Sequence, residues 1–240
     1  MMSLIRVYKD WLITKFIIWL KGSPFHIKVP IDYMILSITI SGYLPKNLNA
    51  LELFGMYGLY VTKHYSKLCQ SVELWELDPE FVRYARKFCD KNVNVIQGDS
   101  VKAVKEFRLM GKYNLLVIDN PLVSPYGNGL YEHFNVMPEI FDATEEQFIL
   151  IFNVILVNPK SLYEDYKFNS ISDLKNRDIW IRKRMEFYGT PLEKLTPQEY
   201  VKLYSTMFEE WGLIVDYSTF LPRNHRVGFL GFALRKKILS

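Results

Sequence analysis

The chain has 240 residues, 49% of them hydrophobic and 23% charged, with a net charge of +4. That length allows one or two domains and a core burying roughly 70% of the unfolded surface, which excludes intrinsic disorder. Two cysteines, Cys69 and Cys89, are too few for a disulfide framework and point to a reducing compartment, the cytoplasm.

Residues 4–20 (LIRVYKDWLITKFIIWL) are strongly apolar but are interrupted by Arg6, Lys9, Asp10 and Lys15. No uncharged run reaches the roughly 18 residues a membrane span needs, and no small-residue cleavage site follows. The segment reads as a helix packed on the domain or in a dimer, with a peripheral membrane surface as the alternative. Residues 1–45 are therefore taken as a helical N-terminal extension and 46–240 as the main domain.

From residue 50 onward, strand and helix patterns alternate. Ala50–Phe54 is a short apolar run ending near glycines, and Leu59–Cys69 fits a helix. Ser71–Asp78 (SVELWELD) has strand content. Asp78-Pro79 then opens a helix, with Asp as N-cap and Pro at its first position. Val93–Ile96 is a third strand, ended by Gly98-Asp99, and Ser100–Leu109 is helical. Tyr113–Ile118 (YNLLVI) and Gln147–Leu156 (QFILIFNVIL) are nearly unbroken apolar runs, as expected of strands buried on both faces of a parallel sheet.

Residues 157–195 break the alternation and read as a helical insertion. They hold a helix near Ser172–Tyr188 that stops at Gly189, with Arg182-Lys183-Arg184 as a solvated face. Thr196-Pro-Gln-Glu199 is a capping box opening a helix to Trp211, closed by Gly212. Leu213–Leu221 and Val227–Arg235 follow, joined by a link too short for a parallel crossover, so they form an antiparallel hairpin. The fold class is α/β: a doubly wound, mostly parallel seven-stranded sheet with a C-terminal antiparallel hairpin.

Ligands of open α/β sheets bind beyond the carboxyl ends of the strands. The first strand leads into Glu52-Leu-Phe-Gly55-Met-Tyr-Gly58, where glycines suit a turn that approaches a ligand, or simply a tight turn. Glu76 lies 21 positions after Gly55, placed to accept both hydroxyls of a ribose. Asp78 is read as a helix cap. Asp99 and Ser100 follow the third strand, where they would meet an adenine edge or merely cap a helix. Asp119-Asn120-Pro121 follows the fourth, with Asp119 at the reacting end of the ligand. Histidine and cysteine spacing supports no metal site.

This order of Gly/Glu, Glu, Asp and Asp at four strand ends resembles the class I S-adenosylmethionine-dependent methyltransferases. The likeness covers about residues 48–156 and the closing helix and hairpin at 196–237. It implies S-adenosylmethionine (SAM) as cofactor, held by Glu52, Gly55, Gly58, Glu76, Asp99, Ser100 and Asp119. The family has three closely spaced glycines; here Phe54 and Met56 stand where two would be, and the turn reads better shifted by one, as Gly55-Met-Tyr-Gly58. Trp75-Glu-Leu-Asp-Pro79 and the later Asp119, Pro121, Tyr131 and Phe134 are similar to the spermidine synthases, which share the fold. Tyr57 and Asn120 replace the amine-holding carboxylates of that family.

Acceptor-side candidates are Tyr126, Tyr131, Glu132 and His133 after the fourth strand, Glu132 reading rather as a surface or helix-start residue, with His133, Tyr126 and Asp119 as the catalytic set. Asn120, Pro121 and Tyr131 would contact the acceptor. Arg223, His225 and Arg226 in the hairpin turn are suited to an anionic group. The expected function is methyl transfer from SAM to a small-molecule or carbohydrate-like acceptor. Nucleic-acid methylation, aminopropyl transfer and a non-catalytic scaffold, with homodimerisation, are the alternatives.

Overall fold

The computed structural model describes residues 30–59, 61–106, 109, 112–119, 132–156, 171–190, 195–223 and 227–237, with the backbone alone at 171–177 and 180. Helix α1 (Pro30–Ile40) is followed by β1 (Leu48–Leu53), a short α2 (Thr62–Tyr65) and β2 (Cys69–Glu76). Then come α3 (Pro79–Phe88), β3 (Val93–Gln97), α4 (Ser100–Lys105), β4 (Tyr113–Ile118) and β5 (Thr144–Ile155). The chain closes with α5 (Ile171–Tyr188), α6 (Pro197–Glu210), β6 (Leu213–Pro222) and β7 (Val227–Lys236). The expected helix at 4–20 and the insertion's residues 157–170 lie outside the described residues.

The strands form one seven-stranded sheet in the order β3-β2-β1-β4-β5-β7-β6. The five strands from β1 to β5 run parallel, and β7 pairs antiparallel with both β5 and β6. This is the sheet expected from the sequence. Every residue of β4 is buried, which accounts for the unbroken apolar run.

Alternation divides the strand residues between two cores. On one face Leu51, Leu53, Leu116, Ile118, Leu150 and Phe152 meet the aromatic side of α5 and α6, including Tyr188, Tyr200, Tyr204 and Phe208. On the other, Ala50, Leu115, Val117, Ile149 and Ile151 meet Ile31, Met34, Ile35 and Ile38 of α1. α1 also lies against β6 and β7. It comes so close at Gly231 that a Cβ there would sit 2.5 Å from Met34 Sδ. No described helix is long and apolar enough to cross a membrane.

Two element boundaries differ from expectation. The helix expected over Leu59–Cys69 shrinks to α2 and one turn of 3-10 helix, Ser66–Leu68. The Asn92 amide donates to the carbonyls of both Ser66 and Cys69, each at 2.8 Å, which takes the acceptors a longer helix would use. The helix after Asp99 stops at Lys105, short of Leu109. Both N-caps stand as expected: Asp78 accepts from the Glu80 and Phe81 amides, and Thr196 and Glu199 form a reciprocal capping box.

Arg184 requires a correction. Only Arg182 of the Arg182-Lys183-Arg184 run is exposed; Arg184 is fully buried. Its Nη1 donates to both carboxylate oxygens of Glu132, at 2.6 and 2.7 Å, and its guanidinium lies over the Tyr188 ring. Around this pair, Tyr200 donates to the Ile155 carbonyl at 2.8 Å, and the Tyr188 and Tyr204 hydroxyls are 2.9 Å apart. Tyr188 lies four positions after Arg184, so both project from the same face of α5, and that face docks the helix on α6 and the segment after β4.

A buried ion pair is costly to break from one side, because the remaining charge stays in the interior. Arg184→Met is expected to lower unfolding free energy by about 3–5 kcal/mol. The double variant Arg184→Met/Glu132→Leu should recover most of that loss. Urea denaturation of the three proteins checks both outcomes.

Candidate active site

The strand order reverses between β1 and β4: the chain runs outward through β2 and β3, then returns to β4 on the other side of β1. A crevice opens at such a point beyond the carboxyl ends of the strands. The residues that meet there come from the turn after β1 and from the ends of β2, β4 and β5, joined by the β6–β7 turn.

The turn after β1 has three left-handed residues, Phe54 (φ 63°), Met56 (φ 48°) and Gly58 (φ 69°). In a residue with a side chain this conformation costs roughly 1–2 kcal/mol. Several bonds hold it in place. Gly55 N donates to the Trp75 carbonyl at 3.3 Å, Gly58 N to the Gly55 carbonyl at 2.9 Å, and Met56 N to Glu76 Oε2 at 2.8 Å. The shifted reading, Gly55-Met-Tyr-Gly58, is therefore corrected: the left-handed positions are 54, 56 and 58. Gly55 is a glycine for another reason, since a Cβ there would lie 2.5 Å from the Leu74 side chain. At Gly58 a Cβ would strike Cys89 Sγ at 2.3 Å, so packing against α3 also requires that glycine.

Glu76 ends β2 with 8% exposure. Its Oε1 accepts from Asp78 N at 2.9 Å while Oε2 holds the turn through Met56. Burial raises its pKa, and the amides of Asp78 and Met56 work against that shift. The Leu77 amide acts on the same carboxylate in the same direction.

Glu52 is 1% exposed and faces α2, where Tyr65 Oη donates to its Oε2 at 2.6 Å. The Thr62 hydroxyl of α2 stands near the same carboxyl group. Burial pushes the Glu52 acid up to about 8; the Tyr65 and Thr62 hydroxyls oppose this, and the charges of Asp119 and Glu76 add to it. At neutral pH Glu52 is mainly protonated.

Asp119 follows β4, and its amide donates to the Leu53 carbonyl at 3.3 Å, which sets it beside the turn. Its Oδ1 accepts from Asn153 Nδ2 at 2.7 Å and from Arg223 Nη1 at 2.6 Å. Arg223 is in turn fixed by its amide bond to the Val227 carbonyl, 2.8 Å, and by its guanidinium lying over the Phe229 ring.

Solved structures share this architecture. Magnesium protoporphyrin IX methyltransferase (ChlM) from Synechocystis PCC 6803, with bound SAH, is 13% identical over 98% of this chain and 100% of that chain, with a TM-score of 0.52. The plantazolicin methyltransferase BpumL in complex with SAH is 10% identical over 87% of this chain and 83% of that one, with a TM-score of 0.52. No protein-family model matches the sequence, nor does any curated protein. The chain has the fold of the class I SAM-dependent methyltransferases.

Within that fold, Glu52, Gly55, Gly58, Glu76 and Asp119 lie together at the carboxyl ends of β1, β2 and β4. Gly98 N donates to the Glu76 carbonyl at 2.9 Å, which brings the end of β3 alongside. Asp99 is half-buried and caps α4 by accepting from Lys102 N at 3.1 Å, and Ser100 is buried in the first turn of that helix. Asn120, Pro121, Tyr126, Tyr131, His225 and Arg226 lie outside the described residues.

His133 sits elsewhere. It has no exposed surface, its ring packs against Phe152 and Phe187, and Nε2 bonds with the hydroxyls of Tyr204 and Tyr188. Burial, reinforced by Arg184, holds its pKa well below the ordinary value, so the ring is neutral. The base role expected of His133 is corrected on this ground: a general base must reach the proton it removes, and this ring is closed off. Asn153 was not anticipated as a site residue. The signal was available: Asn153 is the one polar residue inside the apolar run FILIFNVIL.

Glu52 predicts a pH dependence. The folded protein keeps its proton up to about pH 8, whereas the unfolded chain releases it near the ordinary value of 4.5. Between these values unfolding releases a proton, so this group's stabilising effect, complete below pH 4.5, is lost as pH rises through 8, by at most about 1.4 kcal/mol per pH unit. Glu52→Gln should therefore gain stability relative to the wild type as pH increases from 6 to 8. Denaturant titrations at several pH values measure that difference.

Proposed function

We propose that this chain binds SAM across the carboxyl ends of β1, β2 and β4 and transfers its methyl group to a small-molecule or carbohydrate-like acceptor in the cytoplasm. The observation that carries the reading is Glu76. Its carboxylate is oriented by the backbone amides of Met56 and Asp78 at the end of β2, where a carboxylate can accept from vicinal ribose hydroxyls. The other residues fit the same ligand: the left-handed turn presents backbone beside Glu76, Asp99 stands one strand further along, and Asp119 closes the opposite side.

Bound SAM supplies an electrophilic methyl group on a sulfonium. The task left to the chain is alignment and exclusion of water, since methyl transfer needs little acid–base machinery. Glu76 fixes the ribose, the turn and Glu52 limit solvent on the β1 side, and Asp119 stands where an acceptor proton can be received.

A second reading is favoured by one observation. Phe54 and Met56 place side chains where the fold's other members are expected to carry glycine, which would suit a non-catalytic scaffold. Calorimetric titration with SAM, S-adenosylhomocysteine and decarboxylated SAM separates the two. Micromolar binding of the first two ligands, weakened at least about tenfold by Glu76→Ala, is the expected result. Preference for the decarboxylated form would indicate aminopropyl transfer, and no binding at all would leave the scaffold.

Met56→Gly offers a further check. It removes a left-handed side chain worth roughly 1–2 kcal/mol of strain, and lost side-chain contacts and added chain entropy offset part of that gain. Under the methyltransferase reading SAM should bind this variant at least as tightly as the wild type. Weaker binding would mean that the Met56 side chain is itself a ligand contact.

A further inference from the structure

The hairpin arginine does something other than what its sequence position suggests. As a free guanidinium in a turn, Arg223 would be suited to an anionic acceptor. Here one face of it lies over the Phe229 ring, Nη1 is 2.6 Å from Asp119 Oδ1, and only 26% of the side chain is exposed. Its charge is already balanced. The Asn153 amide, fully buried in β5, donates to that same oxygen at 2.7 Å. Both bonds converge on Oδ1, whereas Oδ2 accepts no hydrogen bond from the described residues.

A carboxylate gripped through one oxygen has its plane and its second oxygen fixed in direction. The Asp119 amide bond to Leu53 places the residue beside the turn after β1. We infer that Arg223 and Asn153 are positioning residues that aim Asp119 Oδ2 at a proton-donating acceptor, a hydroxyl or an amino group, and that Arg223 does not anchor an anionic one. This rests on the SAM reading of the crevice and names the acceptor class within it.

The step balances without a further reactant. The acceptor O–H or N–H donates to Oδ2 while its lone pair forms the bond to the methyl carbon. The sulfur–methyl bond breaks with its electron pair remaining on sulfur, and the acceptor proton passes to Asp119. The positive charge of the sulfonium and the negative charge of the carboxylate disappear together.

Sinefungin tests the geometry without knowledge of the acceptor, because an amine-bearing carbon replaces its methylated sulfur and mimics a donor at the reacting position. Wild type, Asp119→Asn, Arg223→Met, Arg223→Lys and Asn153→Ser are titrated with sinefungin and S-adenosylhomocysteine, each with and without excess inorganic phosphate. Wild type should prefer sinefungin by about tenfold, the value of one charge-assisted hydrogen bond. Asp119→Asn should abolish the preference, and Arg223→Met and Asn153→Ser should each reduce it to about twofold. Arg223→Lys should restore part of it, and phosphate should change nothing.

The inference is overturned if Arg223→Met retains the full preference. It is equally overturned if phosphate binds the wild type and that binding disappears in Arg223→Met, which would make Arg223 an anion anchor. Failure of both nucleosides to bind the wild type removes the SAM reading and this inference with it. Binding of both without any preference removes the inference alone.

Discussion

Five parallel strands of largely apolar residues must be covered on both faces, and most of the molecule answers that requirement. β4 is buried along its whole length, so neither side of the sheet can be left to water. α1 closes one face through Met34 and Ile38, and the aromatic residues of α5 and α6 close the other. With the faces occupied, the carboxyl ends of β1, β2 and β4 are left as the edge at which ligands of open α/β sheets bind.

That edge is held together by carboxylates whose neighbours differ. Glu52, sealed against Tyr65, is driven toward its neutral form. Glu76 is held by the Met56 amide of the turn it supports and by the Asp78 amide at the head of α3. Asp119 is matched by Arg223 and Asn153. Three acidic residues so near one another would repel if all were charged and unpaired; one neutral, one amide-bound and one ion-paired is an arrangement that low-dielectric surroundings tolerate. An open depression of about 600 Å³, lined by Lys112, Glu145 and Lys236 among others, lies at the other end of β4 and β5. It holds no comparable set of buried charges.

The inserted helix α5 is bound by polar contacts to an unusual degree. Glu132, His133, Arg184, Tyr188, Tyr200 and Tyr204 form a closed group between the segment after β4, α5 and α6. Such a group gains less net stability than an apolar core of the same volume, but it tolerates few alternative packings, because each misplacement leaves a buried polar atom unsatisfied. It fixes α5 against α6 and the segment after β4.

The sequence alone determined the strands, the antiparallel closing pair and the helix caps at Asp78 and Thr196, because these follow from local periodicity and from side chains bonding their own backbone. It also pointed to Glu76 and Asp119, since a residue that ends a buried strand has its place set by the strand. What Phe54 and Met56 do was not legible: a left-handed conformation at a bulky residue is imposed by the Glu76 and Trp75 contacts across the sheet, and local preference argues against it. Arg184 looked like solvated surface because its partner Glu132 is 52 positions away, and Arg223 looked free because Asp119 is 104 positions away. Which charge is buried, and with whom, is decided only when distant segments pack together, because desolvation depends on the assembled surroundings and not on the residue's neighbours in the chain.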